Sequence, residues 1–298
     1  MRIFQAMEAL TGAVVEGCPP ERFVRLAQGL LASARPGLIV ADLAESAVLL
    51  GRFQRRWSAA PEPGRVVRRM GGGRALEVGP GTVAVCVVVP SPTFSPDKTM
   101  NRCVRSLLHA IGAVARKPAH YFGRDAVVMD GREVAIVSQE GLDPVLFEAY
   151  VSVKGMPAGR YPPHGDPRIA ERTLGGLGDV PFAAFAAELM AAYAAQPGPP
   201  PEEGPLPAPS PDEREGGFRW SGWVDVPIGF VEAMVGHGVV RLRGDFIAPY
   251  DRVVALEQRL ASASRAGLRE AAADAFAGAY LHGVDDPTIF ADAVMAAG

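Results

Sequence analysis

An arginine- and glycine-rich segment is the first candidate for chemistry, because it separates two runs of β-branched residues. The segment VVRRMGGGRALEV runs from Val66 to Val78. Glycines let backbone N–H groups approach a phosphate closely, and the planar guanidinium of arginine matches phosphate or carboxylate geometry. The candidate binding residues are Arg68, Arg69, Gly71, Gly72, Gly73 and Arg74. A glycine-rich turn with solvated arginines explains the same pattern, and neither the P-loop nor the dinucleotide-binding fingerprint is present.

Other residue types that could do chemistry show no comparable pattern. The five histidines never occur at the spacing of metal ligands, so we expect no metal site built from them. Cys86 lies within an apolar run and Cys103 on the apolar face of a predicted helix, so both are expected in the core. Three cysteines that are far apart in sequence suit a reducing cytoplasm.

Length, charge and hydropathy limit the class of protein further. A chain of 298 residues is long enough for one large and one small domain. The net charge of −3 gives no electrostatic reason to expect nucleic acid or an anionic membrane as a partner. No segment reaches the ~20 apolar residues of a membrane span, and the N-terminus has no signal-peptide pattern. We therefore expect a cytoplasmic protein without nucleic-acid or membrane partners.

The elements that must position the arginine–glycine segment are predicted from hydrophobic periodicity. Helical spacing indicates helices in PPERFVRLAQGLLASA, DKTMNRCVRSLLHAIGAVA and VPFAAFAAELMAAYAA, the second capped by Asp97. Strand-like runs are GLIVAD, SAVLLGRF, TVAVCVVV and VLFEAYVSVK, and Asp130-Gly131 predicts a hairpin turn within AVVMDGREVAIV. Because helices and strands do not alternate regularly, we predict an α+β fold with a mixed or antiparallel sheet.

A proline-dense segment predicts the domain boundary. Residues 195–217, AQPGPPPEEGPLPAPSPDEREGG, are too polar and too rich in proline to join a core, so we interpret them as a solvated linker. The predicted division is a large domain over 1–195, a linker over 196–217 and a small α+β domain over 218–298. In the small domain two strand runs meet at Gly236–Gly238, and helices are predicted from Pro249, in RAGLREAAADAFAGAYL and in DPTIFADAVMAA.

Four ordered motifs resemble the lipoate–protein ligase A family. They are LLGRFQ, RRMGGGRAL, GRD and DGREVAIVSQ, and VVRLRGDFIAPYDRVVALEQRL resembles the family's small accessory domain. The resemblance implies the class II synthetase-like fold of biotin and lipoate ligases. It also implies a reaction in which lipoate and ATP form lipoyl-adenylate, whose acyl group passes to a lysine of a carrier domain. By the same resemblance the arginine–glycine residues hold the adenylate phosphate and line the acyl tunnel, and Gly123, Arg124 and Asp125 face the nucleotide and magnesium.

Several positions depart from the family pattern. Glu133 stands where the family has its catalytic lysine, Ile136 where a small glycine leaves room for the ligand, and Val78 where a histidine is usual. The lysine would neutralise the attacking carboxylate and the α-phosphate, and positioned cations of this kind commonly contribute several kcal/mol. Glu133 reverses the sign of that charge.

Two functions from different classes follow. In the first, the protein uses ATP and magnesium to activate lipoate or another small carboxylic acid for a carrier-protein lysine, in a reaction that Glu133 impairs or retunes. In the second, it is a catalytically inactive relative whose fold serves as an anion- or acyl-binding or regulatory interaction module. An open acyl pocket beside Arg68 and Gly72 would favour the first function. A pocket filled by Ile136 and Val78 would favour the second.

Overall fold

The computed structural model describes residues 10–54, 65–92, 94–154, 175–207 and 218–298. The strands of these ranges are β1 Thr11–Cys18, β2 Gly37–Leu43, β3 Ala47–Leu50, β4 Val66–Arg68, β5 Leu76–Val78, β6 Thr82–Val89, β7 His120–Tyr121, β8 Ala126–Met129, β9 Arg132–Glu140, β10 Val145–Ser152, β11 Gln196–Pro197, β12 Arg219–Trp220, β13 Val224–Val226, β14 Gly229–Gly236 and β15 Val239–Gly244. The α-helices are α1 Pro20–Ser33, α2 Pro96–Ala115, α3 Phe182–Ala192, α4 Tyr250–Ser262, α5 Leu268–Ala273 and α6 Ile289–Ala297.

A mixed eight-stranded sheet forms the centre of the first part of the chain, in the order β11-β1-β2-β6-β10-β9-β8-β7. β1 runs parallel to β2 and β11, and the other neighbours are antiparallel. The β-branched run of β6 is buried along its whole length, as expected for a central strand that is covered on both faces. The predicted α+β fold with a mixed sheet is confirmed, and so is the hairpin at Asp130-Gly131, where both residues have positive φ.

Each face of this sheet packs against its own set of elements. On one face, which we call the α2 face, residues such as Val137 and Phe147 pack with apolar side chains of α2 and α3. The opposite face carries Ile136, Leu146 and Tyr150, which pack with α1 and with a small sheet in the order β4-β3-β5. We call it the loop face, because the small sheet holds both ends of the arginine–glycine segment.

The start of α2 differs from the prediction. The helix begins at Pro96, with Ser95 as the N-cap residue, so Asp97 lies inside the first turn and the predicted cap is wrong. Proline suits the first helical position because the N–H that it lacks would have no partner inside the helix. The Ser95 side chain makes no capping hydrogen bond.

The first residues of the proline-rich segment belong to the large sheet. Gln196 and Pro197 pair with β1 as the edge strand β11, and the Gly204 N–H donates to the carbonyl of Arg25 in α1. Gly29 of α1 lies so close to this segment that a Cβ there would stand 1.8 Å from the Glu202 carbonyl oxygen. Residues 196–204 are mostly exposed, as predicted for a solvated segment, but backbone hydrogen bonds fix them to β1 and α1. Residues 208–217 lie outside the described ranges, and the domain division stays a prediction.

The last part of the chain folds around the hairpin of β14 and β15, with β12 and β13 also paired to β14. α4, α5 and α6 pack on this sheet of β12 to β15. Phe53, from the turn that follows β3, joins their apolar cluster. The predicted helix RAGLREAAADAFAGAYL is shorter than expected, because it consists of a 3-10 turn at Arg265–Gly267 followed by α5. Within the described ranges, no helix has both the length and the apolarity needed to cross a bilayer.

Candidate functional site

The arginine–glycine segment forms a buried loop between β4 and β5, called the arginine–glycine loop below (residues 68–75). β3 pairs with both flanking strands, so the small sheet fixes both ends of the loop. Gly73 has a φ of +84°, which is the left-handed region that favours glycine. Arg69 and Arg74 are buried, so the alternative of a turn with solvated arginines does not describe them.

The first two arginines of the loop hold backbone carbonyls. Arg68 Nη1 donates to the carbonyl of Gln54 at 2.6 Å and to those of Gly51 and Arg52 at 3.0 Å. Arg69 is 0% exposed, and its Nη2 donates to the carbonyl of Gly72 at 2.6 Å. Both guanidinium groups therefore help to shape the loop and the neighbouring turn at 51–54.

Gly71 meets an internal carboxylate. Its N–H donates to Oε2 of Glu148 at 2.9 Å, and this glutamate on β10 is 0% exposed. A Cβ at Gly71 would stand 2.2 Å from Oγ of Ser138, so no larger residue fits at this position. Ser138 in turn donates from Oγ to the Gly72 carbonyl at 2.9 Å.

The other two glycines meet the turn that follows β15. The Gly73 N–H donates to the Phe246 carbonyl at 2.7 Å. A Cβ at Gly72 would stand 2.2 Å from the same oxygen. Gln54 adds a second link, since its Nε2 donates to Oδ1 of Asp245 at 2.5 Å. The Gly-Asp-Phe turn of the chain's last part therefore lies directly on the arginine–glycine loop.

Arg74 brings together three of the predicted site residues. Its Nε donates to Oδ2 of Asp125 at 2.6 Å, and its Nη2 donates to Oε1 of Glu133 at 2.9 Å. Burial acts to lower the pKa of the Arg74 guanidinium, but the two neighbouring carboxylates raise it above its usual value. Glu133 is thus the partner of a buried cation.

Gly123 and Arg124 lie apart from this cluster. Gly123 has a φ of +82° and an open surrounding, and the exposed Arg124 donates from Nη1 to the carbonyl of Pro227 at 3.4 Å. Asp125 is the one member of the predicted GRD motif that reaches the arginine–glycine loop. Asp125 is buried at 2% exposure, whereas Arg124 is exposed and reaches Pro227 in the last part of the chain.

Apolar side chains fill the positions where the resemblance expects room or a histidine. Ile136 and Val78 are each 3% exposed, and both belong to the apolar cluster of the loop face. Ile136 lies opposite Tyr150 on the neighbouring strand, and the centroid of that ring lies 5.9 Å from the Arg69 guanidinium carbon. The loop face beside the arginine–glycine loop is therefore closely packed at these positions.

Sequence reasoning missed two buried carboxylates on the loop face. Burial raises the pKa of Glu148, while Arg69 and the N–H of Gly71 act to lower it. Burial also raises the pKa of Glu140 to about 7, against the N–H groups of Tyr250 and Gly141, which both donate to its Oε1 at 3.0 Å. The available signal for Glu148 was that VLFEAYVS contains a single charged residue within an otherwise buried apolar strand.

The donor set does not fit a magnesium ion. Within the described ranges, no group of three or more histidine, cysteine, aspartate or glutamate side chains could hold a metal. Asp125, the residue that the resemblance turns toward magnesium, already accepts two hydrogen bonds from Arg74. We therefore derive no chemical step through a metal at this position.

Comparison with solved structures shows that lipoate–protein ligases share this fold. No family model matches the chain, and no curated protein matches its sequence. The lipoate complex of LipL1 from P. falciparum is 14% identical, with a TM-score of 0.65 over 85% of this chain and 89% of that one.

Two further structures have the same fold. A bipartite lipoate–protein ligase from Thermoplasma acidophilum, studied with its E2 lipoyl domain, is 14% identical with a TM-score of 0.52, covering 63% of this chain and 83% of its own. An ATP-bound lipoate–protein ligase A is 14% identical with a TM-score of 0.51, covering 63% and 85%. At these identities the likeness establishes the fold alone, and two of these three proteins were solved with lipoate or ATP bound.

Proposed function

We propose that this protein is a lipoate–protein ligase-like protein whose activation of lipoate is impaired or retuned toward another carboxylic acid. The observation that carries the proposal is the ion pair of Arg74 with Glu133, at the position of the family's catalytic lysine. The fold and the loop support a ligase-like ancestry, and the charge at position 133 supports the change in activity.

The physical reason is the charge balance of adenylation. A carboxylate that attacks the α-phosphate brings two anions together, and a fixed cation lowers the barrier most when it lies in a site shielded from water. Glu133 supplies a negative charge instead, and it also engages Arg74, which is the nearest loop cation. Glu133 therefore weakens the positive charge that a substrate would meet in two ways, by its own negative charge and by pairing with Arg74.

The substrate side of the proposal follows the resemblance. The acid would be lipoate or a related small carboxylic acid, activated by ATP and delivered to a lysine of a lipoyl-carrier domain in the cytoplasm. The nucleotide- and acyl-binding residues would be Arg68, Arg69, Gly71, Gly72, Gly73, Arg74, Gly123, Arg124 and Asp125. In the described conformation Arg74 and Asp125 neutralise each other, so binding of the nucleotide requires their pairing to rearrange.

A second candidate is a catalytically inactive interaction module. One support is the close packing of Ile136 and Val78, which fill the positions where an acyl pocket would need room. The other is the contact between the Gly-Asp-Phe turn and the arginine–glycine loop, in which the Gly73 N–H is already used by the Phe246 carbonyl. A loop whose donors are satisfied by the protein's own atoms has little need of a phosphate to fold. In that case the fold would present a binding surface without adenylation.

The test is ATP–pyrophosphate exchange with lipoate, octanoate and a panel of other carboxylic acids. We expect weak or no exchange with lipoate in the unmodified protein, because loss of one charge-stabilising donor typically costs ~10²–10³ in rate. The double variant Glu133→Lys/Ile136→Gly should raise the exchange rate by roughly 10²-fold. The matched control is Arg132→Lys, which introduces a lysine one residue earlier on the opposite face of β9.

Each outcome of the assay selects one reading. Strong lipoate exchange by the unmodified protein would contradict the impairment. Exchange with a different acid, particularly a cationic one that pairs with Glu133, would identify a retuned site. If neither the unmodified chain nor the double variant exchanges with any acid, the interaction module is favoured over the ligase.

A further inference from the structure

We propose that Glu148 is a built-in ligand of the arginine–glycine loop, whose carboxylate takes the place of an external oxyanion and keeps the loop occluded. The inference rests on the proposed function in one respect, namely that the loop is the anion-binding element of the fold. It adds a residue that neither the motifs nor the resemblance assigns. It also gives a second cause of low activity that is independent of Glu133.

The contact has the geometry of anion recognition by a glycine loop. The Gly71 N–H donates to the Glu148 carboxylate at 2.9 Å, and a Cβ at Gly71 would stand only 3.0 Å from the same oxygen. The backbone thus approaches the carboxylate as closely as it would approach a phosphate, and only glycine permits this.

Folding alone gives no reason for a carboxylate at this point. β10 is buried at every position, and an ionised side chain loses its hydration there unless a counter-charge and hydrogen bonds compensate. Most of the compensation comes from the loop, through the N–H groups of Met70 and Gly71 and the charge of the fully buried Arg69. The Tyr150 hydroxyl also donates to Oε1 of Glu148 at 3.4 Å. An apolar residue would fill the strand position without needing any of these groups.

The loop retains donor capacity beyond what Glu148 uses. Within the part of the chain that the structure describes, Nε of the buried Arg69 has no hydrogen-bond acceptor. A buried donor without an acceptor is unusual and costs free energy, so it indicates that the polar site is incompletely filled by the protein's own groups. A phosphate or a free carboxylate offers several acceptor oxygens and could satisfy Arg69 and Gly71 together once Glu148 is removed.

The experiment measures amide hydrogen exchange of Gly71, Gly72 and Gly73 in the full-length chain. The probes are inorganic phosphate, AMP and octanoate at millimolar concentration, which separate a phosphate from a carboxylate as the preferred oxyanion. The variants are Glu148→Ala, which opens the position, and Glu148→Gln, which keeps the size and removes the charge. Glu140→Gln is the matched control, since Glu140 is also a buried carboxylate of the loop face but bonds to Tyr250.

In the unmodified protein we expect a slowly exchanging Gly71 amide without any ligand, and no change when the probes are added. In Glu148→Ala that amide should exchange at least about tenfold faster, and phosphate, AMP or octanoate should restore the protection. Glu148→Gln should lie between the two, and Glu140→Gln should behave as the unmodified protein.

The inference is overturned if the unmodified protein gains protection from the probes as strongly as Glu148→Ala does. If Glu148→Ala fails to fold, Glu148→Gln takes its place in this comparison with the unmodified protein. Hydrogen exchange and ATP–pyrophosphate exchange together separate this inference from the proposed function. If Glu133→Lys/Ile136→Gly restores adenylation and adding Glu148→Ala brings no further gain, Glu148 does not occlude the loop and the ligase proposal stands. Oxyanion binding by Glu148→Ala without adenylation by any variant supports the occlusion and removes the ligase.

Discussion

Phe147 and Glu148 are consecutive residues of β10, and both are fully buried, but they face opposite sides of the sheet. Phe147 belongs to the apolar cluster of the α2 face. Glu148 faces the arginine–glycine loop, where its neighbours are the buried Arg69 and the N–H of Gly71. The α2 face therefore gains its stability from non-directional apolar burial, whereas the loop face combines an apolar cluster with directed polar contacts at the arginine–glycine loop.

The two faces differ in what their buried side chains contribute to stability. Apolar burial contributes roughly 25 cal/mol per Å² wherever suitable side chains meet. Buried charges contribute little net stability and are strongly unfavourable when one partner is lost. Packing alone would favour apolar residues at these buried positions too, so the charges of the loop face are the feature that the proposed oxyanion-binding role of the loop would explain.

The largest expected effect is a loss of packing on the α2 face. Phe147→Ala should lower the free energy of unfolding by about 3–5 kcal/mol, because it removes a ring from a closely packed cluster and leaves a cavity. Urea unfolding followed by circular dichroism measures the change, with Val14→Ala on the exposed side of β1 as a control of negligible effect. A loss below about 1 kcal/mol would contradict the assignment of Phe147 to a rigid core.

A pH-dependent effect is expected next, on the loop face. Burial raises the pKa of Glu140 to about 7 from its ordinary value of 4.5, so the folded protein holds this proton more tightly than the unfolded chain. The free energy of unfolding should therefore fall as pH rises between these two values, by up to about 3 kcal/mol, and change no further from this group above them.

The measurement is urea unfolding at pH 5 and pH 8 for the unmodified protein and Glu140→Gln. The variant lacks the titrating group, so the difference between the two proteins isolates its contribution. The nearby Asp251 carboxylate also raises the pKa of Glu140, whereas the positive charge of Arg52 lowers it and so limits the shift. Parallel pH profiles for the two proteins would refute the shift at Glu140.

The smallest effect compares two buried serines on neighbouring strands. Ser138→Ala should cost about 1 kcal/mol, because it removes the hydrogen bond from Oγ to the Gly72 carbonyl. Ser152→Ala should stay within about 0.5 kcal/mol or stabilise slightly, since the Ser152 hydroxyl has no hydrogen-bond partner among the residues that the structure describes. Equal losses in the two variants would mean that the contact to the loop carries no stability of its own.

Much of the fold could be predicted because its signals are local. The β-branched run of β6, the Asp130-Gly131 turn and the periodicity of α1 each depend on a few neighbouring residues, and each element is present. The errors arose where tertiary contacts overrode local preference. Residues 196–204 read as a solvated linker, but backbone hydrogen bonds to β1 and α1 hold them in place.

The site was predicted in part for the same reason. The arginines and glycines of the loop form a contiguous motif between two strands, as the sequence pattern indicated, but the small sheet that these strands form with β3 was not predicted. The pairing of Arg74 with Glu133 joins residues 59 positions apart, and no spacing rule indicates such a contact. Nor could the pattern show that the turn at Phe246 would lie against Gly73.

By itself the sequence determined the α+β class, most of the strands and helices, and the identity of the loop, because these depend on periodicity and on the special conformations of glycine and proline. Only the tertiary structure decided what the loop binds within its own chain. Glu148 lies 77 positions from Gly71, and the two meet because β10 is a central strand whose alternate side chains point at the loop. A carboxylate's partner is set by three-dimensional proximity and by the absence of competing water, and neither quantity is encoded in local spacing.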